Sequence, residues 1–100
     1  MFIAHVTFQV SPGQEAEIRE ALAAGAVAVD AMKGCKRFVA FEELAVDGGF
    51  GILHEWDSEA DFSRYLASGA FSTLGRAIRP LAIAQPVSKR FNAVPVQALR

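Results

Sequence analysis

Cysteine occurs once among the 100 residues, at Cys35, which excludes an intrachain disulfide framework and a cysteine-based zinc site. Neither sign of charge dominates. Ten basic and eleven acidic residues leave a net charge of −1, and no basic cluster forms the positive patch that nucleic-acid binding needs. Lys33, Lys36 and Arg37 gather only beside a turn, where charges are ordinarily solvated. A long hydrophobic run is also missing: the longest, Ala21 to Val29, falls short of the ~20 apolar residues that span a bilayer. The opening Met-Phe-Ile-Ala-His lacks the basic segment of a signal peptide and runs straight into a strand pattern, so a cytoplasmic protein is expected.

What is abundant is apolar surface. Hydrophobic residues make up 52% of the chain, above a soluble average of about 45–50% that already includes glycine. A chain of this length suits one small domain. A single sheet covered by helices buries one face only, so the excess calls for a partner or a ligand.

Along the chain, Phe2 to Val10 alternates, with Phe2, Ala4, Val6, Phe8 and Val10 on one side and Ile3, His5, Thr7 and Gln9 on the other. Ser11-Pro12-Gly13-Gln14 reads as a helix start, with serine as cap and proline at the first helical position. Ile18, Leu22, Val29 and Met32 share one face of that helix, which Gly34 is expected to stop. Cys35 to Val46 and Phe50 to Trp56 read as strands joined through Asp47-Gly48-Gly49. Ser58 is placed to cap the next helix, with Asp61 reaching back to its N–H, and Gly69 to end that helix in a left-handed conformation. Leu74, Ile78 and Leu81 mark another helical piece ending near Pro80. Ile83 to Val94 is expected to form a last strand, edge or bulged because of Pro86. The domain then covers 1–94, with a loose tail at 95–100.

That order, β-α-β-β-α-β, predicts an α+β, ferredoxin-like fold: a four-stranded antiparallel sheet with helices on one face. The uncovered face would carry Ile3, Val39, Phe41 and Leu53, too apolar for water, and a second copy packing sheet to sheet is the simplest remedy.

Three stretches together resemble the antibiotic biosynthesis monooxygenase domain: Lys33-Gly34-Cys35 followed by Phe38, Ile52-Leu-His-Glu-Trp56-Asp-Ser-Glu-Ala60, and Leu66-Ala-Ser-Gly-Ala-Phe71. The resemblance runs from Phe2 to about Val94. It implies a dimeric α+β barrel with a pocket between helices and sheet in each subunit. The family includes cofactor-independent monooxygenases of quinols and polyphenolic aromatics, haem-degrading enzymes, and proteins with no demonstrated reaction.

Carried over residue by residue, the quinone-forming branch matches at Trp56 and at Arg76. Its asparagine and tyrosine positions hold Ile52 and Phe62. The haem-degrading branch matches poorly, because its histidine position holds Gly75. His54 has the parity of Trp56 and so points towards the helices. Burial there would keep it neutral and leave a ring nitrogen free as a base. The expected site therefore has His54 and Arg76 as catalytic groups, with walls of Trp56, Val6, Phe8, Ile52, Phe62, Leu66 and Phe71. It needs no cofactor or metal and takes a small apolar or aromatic ligand. Plainer roles exist for several of these: Trp56 as core closure, Arg76 on an outer helix face, Cys35 as packing. Two functions follow, an oxygenase of a small aromatic or quinol, or a non-catalytic dimeric ligand-binding module.

Overall fold

The computed structural model describes residues 1–96. Seven elements follow in order: β1 (Phe2–Gln9), α1 (Glu15–Asp30), β2 (Cys35–Glu42), β3 (Gly49–Trp56), α2 (Glu59–Leu66), α3 (Gly69–Ile78) and β4 (Val87–Asn92). The strands form one antiparallel sheet in the order β2-β3-β1-β4. This is the expected ferredoxin-like arrangement, with the second helix divided in two.

Alternation decides which side of the sheet is buried. Phe2, Ala4 and Phe8 of β1 and Phe50, Ile52, His54 and Trp56 of β3 are buried, together with Ile18, Leu22 and Val29 of α1 and Leu74 and Ile78 of α3. Burying each large side chain contributes about 1.5–3 kcal/mol, so this shared layer holds the helices onto the sheet. The opposite face carries Ile3, His5, Leu53, Val39, Phe41 and Phe91. There the Phe41 ring stacks on His5 at 5.9 Å between centroids and lies over Gly51, where a Cβ would collide with it.

Several boundaries differ from the sequence expectation, each for a local reason. Ser11 does not cap α1. Gly13 adopts φ +88°, and the Gln14 N–H closes a turn on the Ser11 carbonyl at 3.1 Å, so the helix starts at Glu15. Gly34 does not stop α1 either. The helix ends at Asp30, and Gly34, at φ +83°, shapes the following turn into β2. β2 ends at Glu42 rather than Val46, because residues 43–48 form hydrogen-bonded turns before β3. Gly69 is not left-handed. It opens α3, whose N-cap is Ser68, with the Phe71 N–H donating to the Ser68 Oγ at 3.2 Å. The last strand is six residues, not twelve: Pro86 precedes it, and residues near Ile83 instead pair with the end of β1. Pro95 and Val96 lie outside any regular element, and the rest of the expected tail falls outside the described residues.

The Ser58 cap forms as the sequence suggests. Its Oγ accepts from the Asp61 N–H at 3.2 Å. The Asp61 carboxylate does not reach the Ser58 N–H; it accepts from the Ser58 hydroxyl at 3.0 Å and from Arg64.

Candidate functional site

A cavity of about 230 Å³ opens between α2, α3 and the inner faces of β1, β3 and β4. Its floor is made of buried side chains: Ile52 and His54 from β3, Phe62 and Tyr65 from α2, Leu74 and Ile78 from α3. Val6 and Leu66 are half-buried at its sides. Its rim is exposed and comes from Phe71 and Arg79 on α3, Gln85 before β4, and Ser88 and Arg90 on β4.

The helix caps set this geometry. Ser58 fixes the start of α2 so that Phe62, Tyr65 and Leu66 face the sheet at helical spacing. Ser68 restarts the chain as α3, which turns Phe71, Leu74 and Ile78 to the same space. Gly75 has no Cβ, and the Arg79 guanidinium lies back across it, where a side chain would collide with Nη2. The guanidinium of Arg90 sits 4.9 Å from the centroid of the Phe62 ring. Arg90 pairs with Ala4, and this register brings it to the inner face.

His54 is the polar centre. Four aromatic rings surround it, those of Phe38, Tyr65, Phe62 and Trp56, at centroid distances of 5.3, 5.5, 5.6 and 6.1 Å. Its Nδ1 accepts the Trp56 indole N–H at 2.8 Å. A neutral imidazole has one donor nitrogen and one acceptor, so the proton must sit on Nε2. Among the described residues, the ring's hydrogen bond is the one at Nδ1, to a Trp56 that does not line the cavity, so Nε2 is the nitrogen left to the cavity that His54 lines. Burial, and secondarily the Arg90 charge, push the imidazole down from 6.5 to about 4. Burial, with a smaller contribution from Cys35, pushes the Tyr65 phenol up to about 12. Both groups are neutral at physiological pH.

Of the residues expected at the site, Val6, Ile52, His54, Phe62, Leu66 and Phe71 line the cavity. Three do not. Trp56 is fully buried, bonded to His54 and stacked on Tyr65 at 5.3 Å, and does not line this cavity. Phe8 packs on Phe50 at 6.3 Å, farther along the core. Arg76 is exposed on α3, with its guanidinium 3.4 Å from the Thr73 hydroxyl. The guanidinia at the cavity are Arg79 and Arg90. The lining contains no aspartate or glutamate among the described residues. Among the described residues, no group of three or more His, Cys, Asp or Glu side chains is placed to hold a metal ion. No helix among them is long and apolar enough to cross a membrane.

A family model described as antibiotic biosynthesis monooxygenase matches residues 1–76. No curated protein matches the chain significantly. Among solved structures, a candidate antibiotic biosynthesis monooxygenase from Deinococcus radiodurans superimposes with a TM-score of 0.91 at 24% identity, covering 100% of this chain and 99% of that one. One from Nitrosomonas europaea gives 0.89 at 12% identity, covering 95% and 100%. A third, from Caulobacter crescentus CB15, gives 0.88 at 21% identity, covering 94% and 90%. At such identities the likeness establishes the shared fold.

Proposed function

The chain belongs to the antibiotic biosynthesis monooxygenase family, and on that premise we propose that it is a cofactor-independent monooxygenase of a small aromatic or quinol substrate. The observation that supports this reading is the aromatic-walled cavity between helices and sheet. At about 230 Å³ it is smaller than the ~300–1,000 Å³ of sites for drug-sized ligands, a size for up to about three fused rings. An activated aromatic methylene or quinol that has lost a proton can pass one electron to O₂ without metal or flavin. Recombination of the two radicals gives a peroxide, which loses water. For a methylene the balance is R₂CH₂ + O₂ → R₂C=O + H₂O. The protein's part is to exclude water and to hold the developing negative charge against fixed donors.

The working unit in this reading is a homodimer joined through the outer sheet face, where Leu53, Val39 and Phe41 leave an apolar strip. A second reading, a non-catalytic ligand-binding dimer, draws support from two observations: no described residue brings a carboxylate to the cavity, and Nε2 of His54 already carries its proton. An oxygen electrode separates the two. With an anthrone or a quinol, the oxygenase reading expects oxygen consumption above autoxidation. With an anthrone it also expects ¹⁸O from labelled O₂ in the product carbonyl. Ligand binding without oxygen consumption would establish the second reading.

A further inference from the structure

We infer that the cavity takes its ligand as a preformed anion: a small aromatic of up to about three fused rings whose charged oxygen lies against His54 Nε2–H and the guanidinia of Arg90 and Arg79. Trp56 acts as the positioning residue that fixes the imidazole. The inference rests on the proposed use of this cavity but not on any oxidation within it.

The chemistry of the lining is one-sided. Apart from apolar walls it offers an imidazole N–H, two guanidinium groups, the Ser88 hydroxyl, the Gln85 amide and the Tyr65 phenol. Three of these six groups can only donate, and none carries negative charge. Among the described residues, the ion pairs are Arg19–Glu42, Lys36–Asp57 and Arg64–Asp61, so neither Arg79 nor Arg90 is paired with a carboxylate. Two cations with no carboxylate partner among the described residues, beside an apolar pocket, favour a ligand that carries its own negative charge, since charge-assisted bonds are about twice as strong as neutral ones. Both arginines lie beyond residues 1–76, the span that matches the family model.

His54 cannot supply the opposite service. A base must present a free lone pair to the substrate, but its Nδ1 lone pair is taken by Trp56 and its Nε2 lone pair by the proton. Reversing the tautomer would set two N–H groups against each other at 2.8 Å. Trp56, which meets no ligand, thus decides what His54 shows to the cavity.

The test uses two planar probes that differ in charge and are not oxidised, 2-naphthoate and 2-naphthamide, titrated calorimetrically at pH 7.5. Wild-type protein is expected to bind the naphthoate at least about tenfold more tightly. Arg90→Gln and Arg79→Gln should each weaken naphthoate about three- to tenfold and leave naphthamide unchanged, and Arg90→Lys should recover part of the loss. Nitrogen NMR of the ¹⁵N-labelled wild-type histidine should place the proton on Nε2. Trp56→Phe, if folded, should give a mixture of tautomers. Equal affinities, no binding of either probe, or a proton on Nδ1 in the wild type would each overturn the inference. Failure of oxygen uptake alongside naphthoate selectivity would overturn the oxygenase reading and leave this one standing.

Discussion

The indole N–H of Trp56 is bonded to Nδ1 of His54 at 2.8 Å, between side chains two residues apart on the same face of β3. Strand periodicity brings them to one side, and their different lengths let the indole pass behind the imidazole. Both are buried, the tryptophan fully. Such a bond contributes about 0.5–1.5 kcal/mol when made and costs more if only one partner is removed. Its larger consequence is chemical, since it settles which imidazole nitrogen faces the cavity.

Stability should fall with acidity in a window set by this histidine. Its folded-state value, about 4, lies below the ordinary 6.5, so between those values the unfolded chain binds more protons than the folded one. The neutral imidazole costs nothing above pH ~6.5, and stability is lost progressively as pH falls towards ~4. At ~1.4 kcal/mol per pH unit the loss is on the order of 3 kcal/mol. Between pH 7.5 and 4 the melting temperature of wild type should fall relative to that of His54→Gln, whatever their difference at neutrality. Parallel curves would show that His54 does not titrate in this range.

The outer sheet face should join two copies. Leu53 sits at its centre, opposite His5 on β1 and Val39 on β2, and the nearby Phe91 is 49% exposed in one chain. Contiguous apolar surface of this kind is costly in water and suits an isologous two-fold contact. Light scattering at micromolar concentration should give twice the chain mass, and Leu53→Lys, which places like charges across the two-fold contact, should give the single-chain mass. A wild-type monomer would remove the sheet-to-sheet argument.

The inner faces of β1 and β3 are legible from sequence because alternation fixes side, which turns His54 towards the helices, whereas Ile52 enters the expected site as a position of the family resemblance. The arginines are not. Every residue of β4 is exposed, so it carries no hydrophobic alternation, and Arg90 gains its side only from pairing with Ala4. Arg79 was hidden because its position depends on lying back across Gly75, one helical turn earlier. Arg76 has the right residue type at a suitable distance along the chain, but the Ser68 cap sets the rotation of α3 and turns it to solvent. Trp56 shares parity with His54, yet parity gives a side, not an order of depth.

Gly34→Ala should be among the most damaging small substitutions. Gly34 has φ +83°, a region that L side chains rarely adopt, and a Cβ there would overlap the buried Asp61 carboxylate. That carboxylate accepts from Ser58 and Arg64 at the start of α2, so the change strains the turn and the cap together. A loss of about 2–4 kcal/mol is expected, against about 1 kcal/mol for Ser58→Ala, which removes the cap alone. Denaturant unfolding of both variants checks the ranking. A Gly34→Ala variant as stable as Ser58→Ala would mean that the turn relaxes freely.

Two substitutions at His54 separate a base from a donor. Glutamine cannot accept a proton at neutral pH but still presents an N–H to the cavity, whereas phenylalanine fills the space and presents neither. If His54 abstracts a proton, both variants should lose about 10²–10⁴-fold in oxygen uptake with an anthrone substrate, the usual span for removal of a general base. If it donates from Nε2 to an anionic oxygen, the two should diverge. His54→Phe should then lose about 10²–10³-fold, as when an oxyanion donor is removed, and His54→Gln should stay within about tenfold of wild type. The tautomer set by Trp56 leads us to expect divergence. Each variant's melting temperature is measured alongside, because phenylalanine leaves the Trp56 indole N–H without an acceptor and costs about 1–3 kcal/mol. Glutamine can still accept that bond through its carbonyl, so only phenylalanine should show both losses. Equal and large losses of uptake in two folded variants would restore the base and remove the donor.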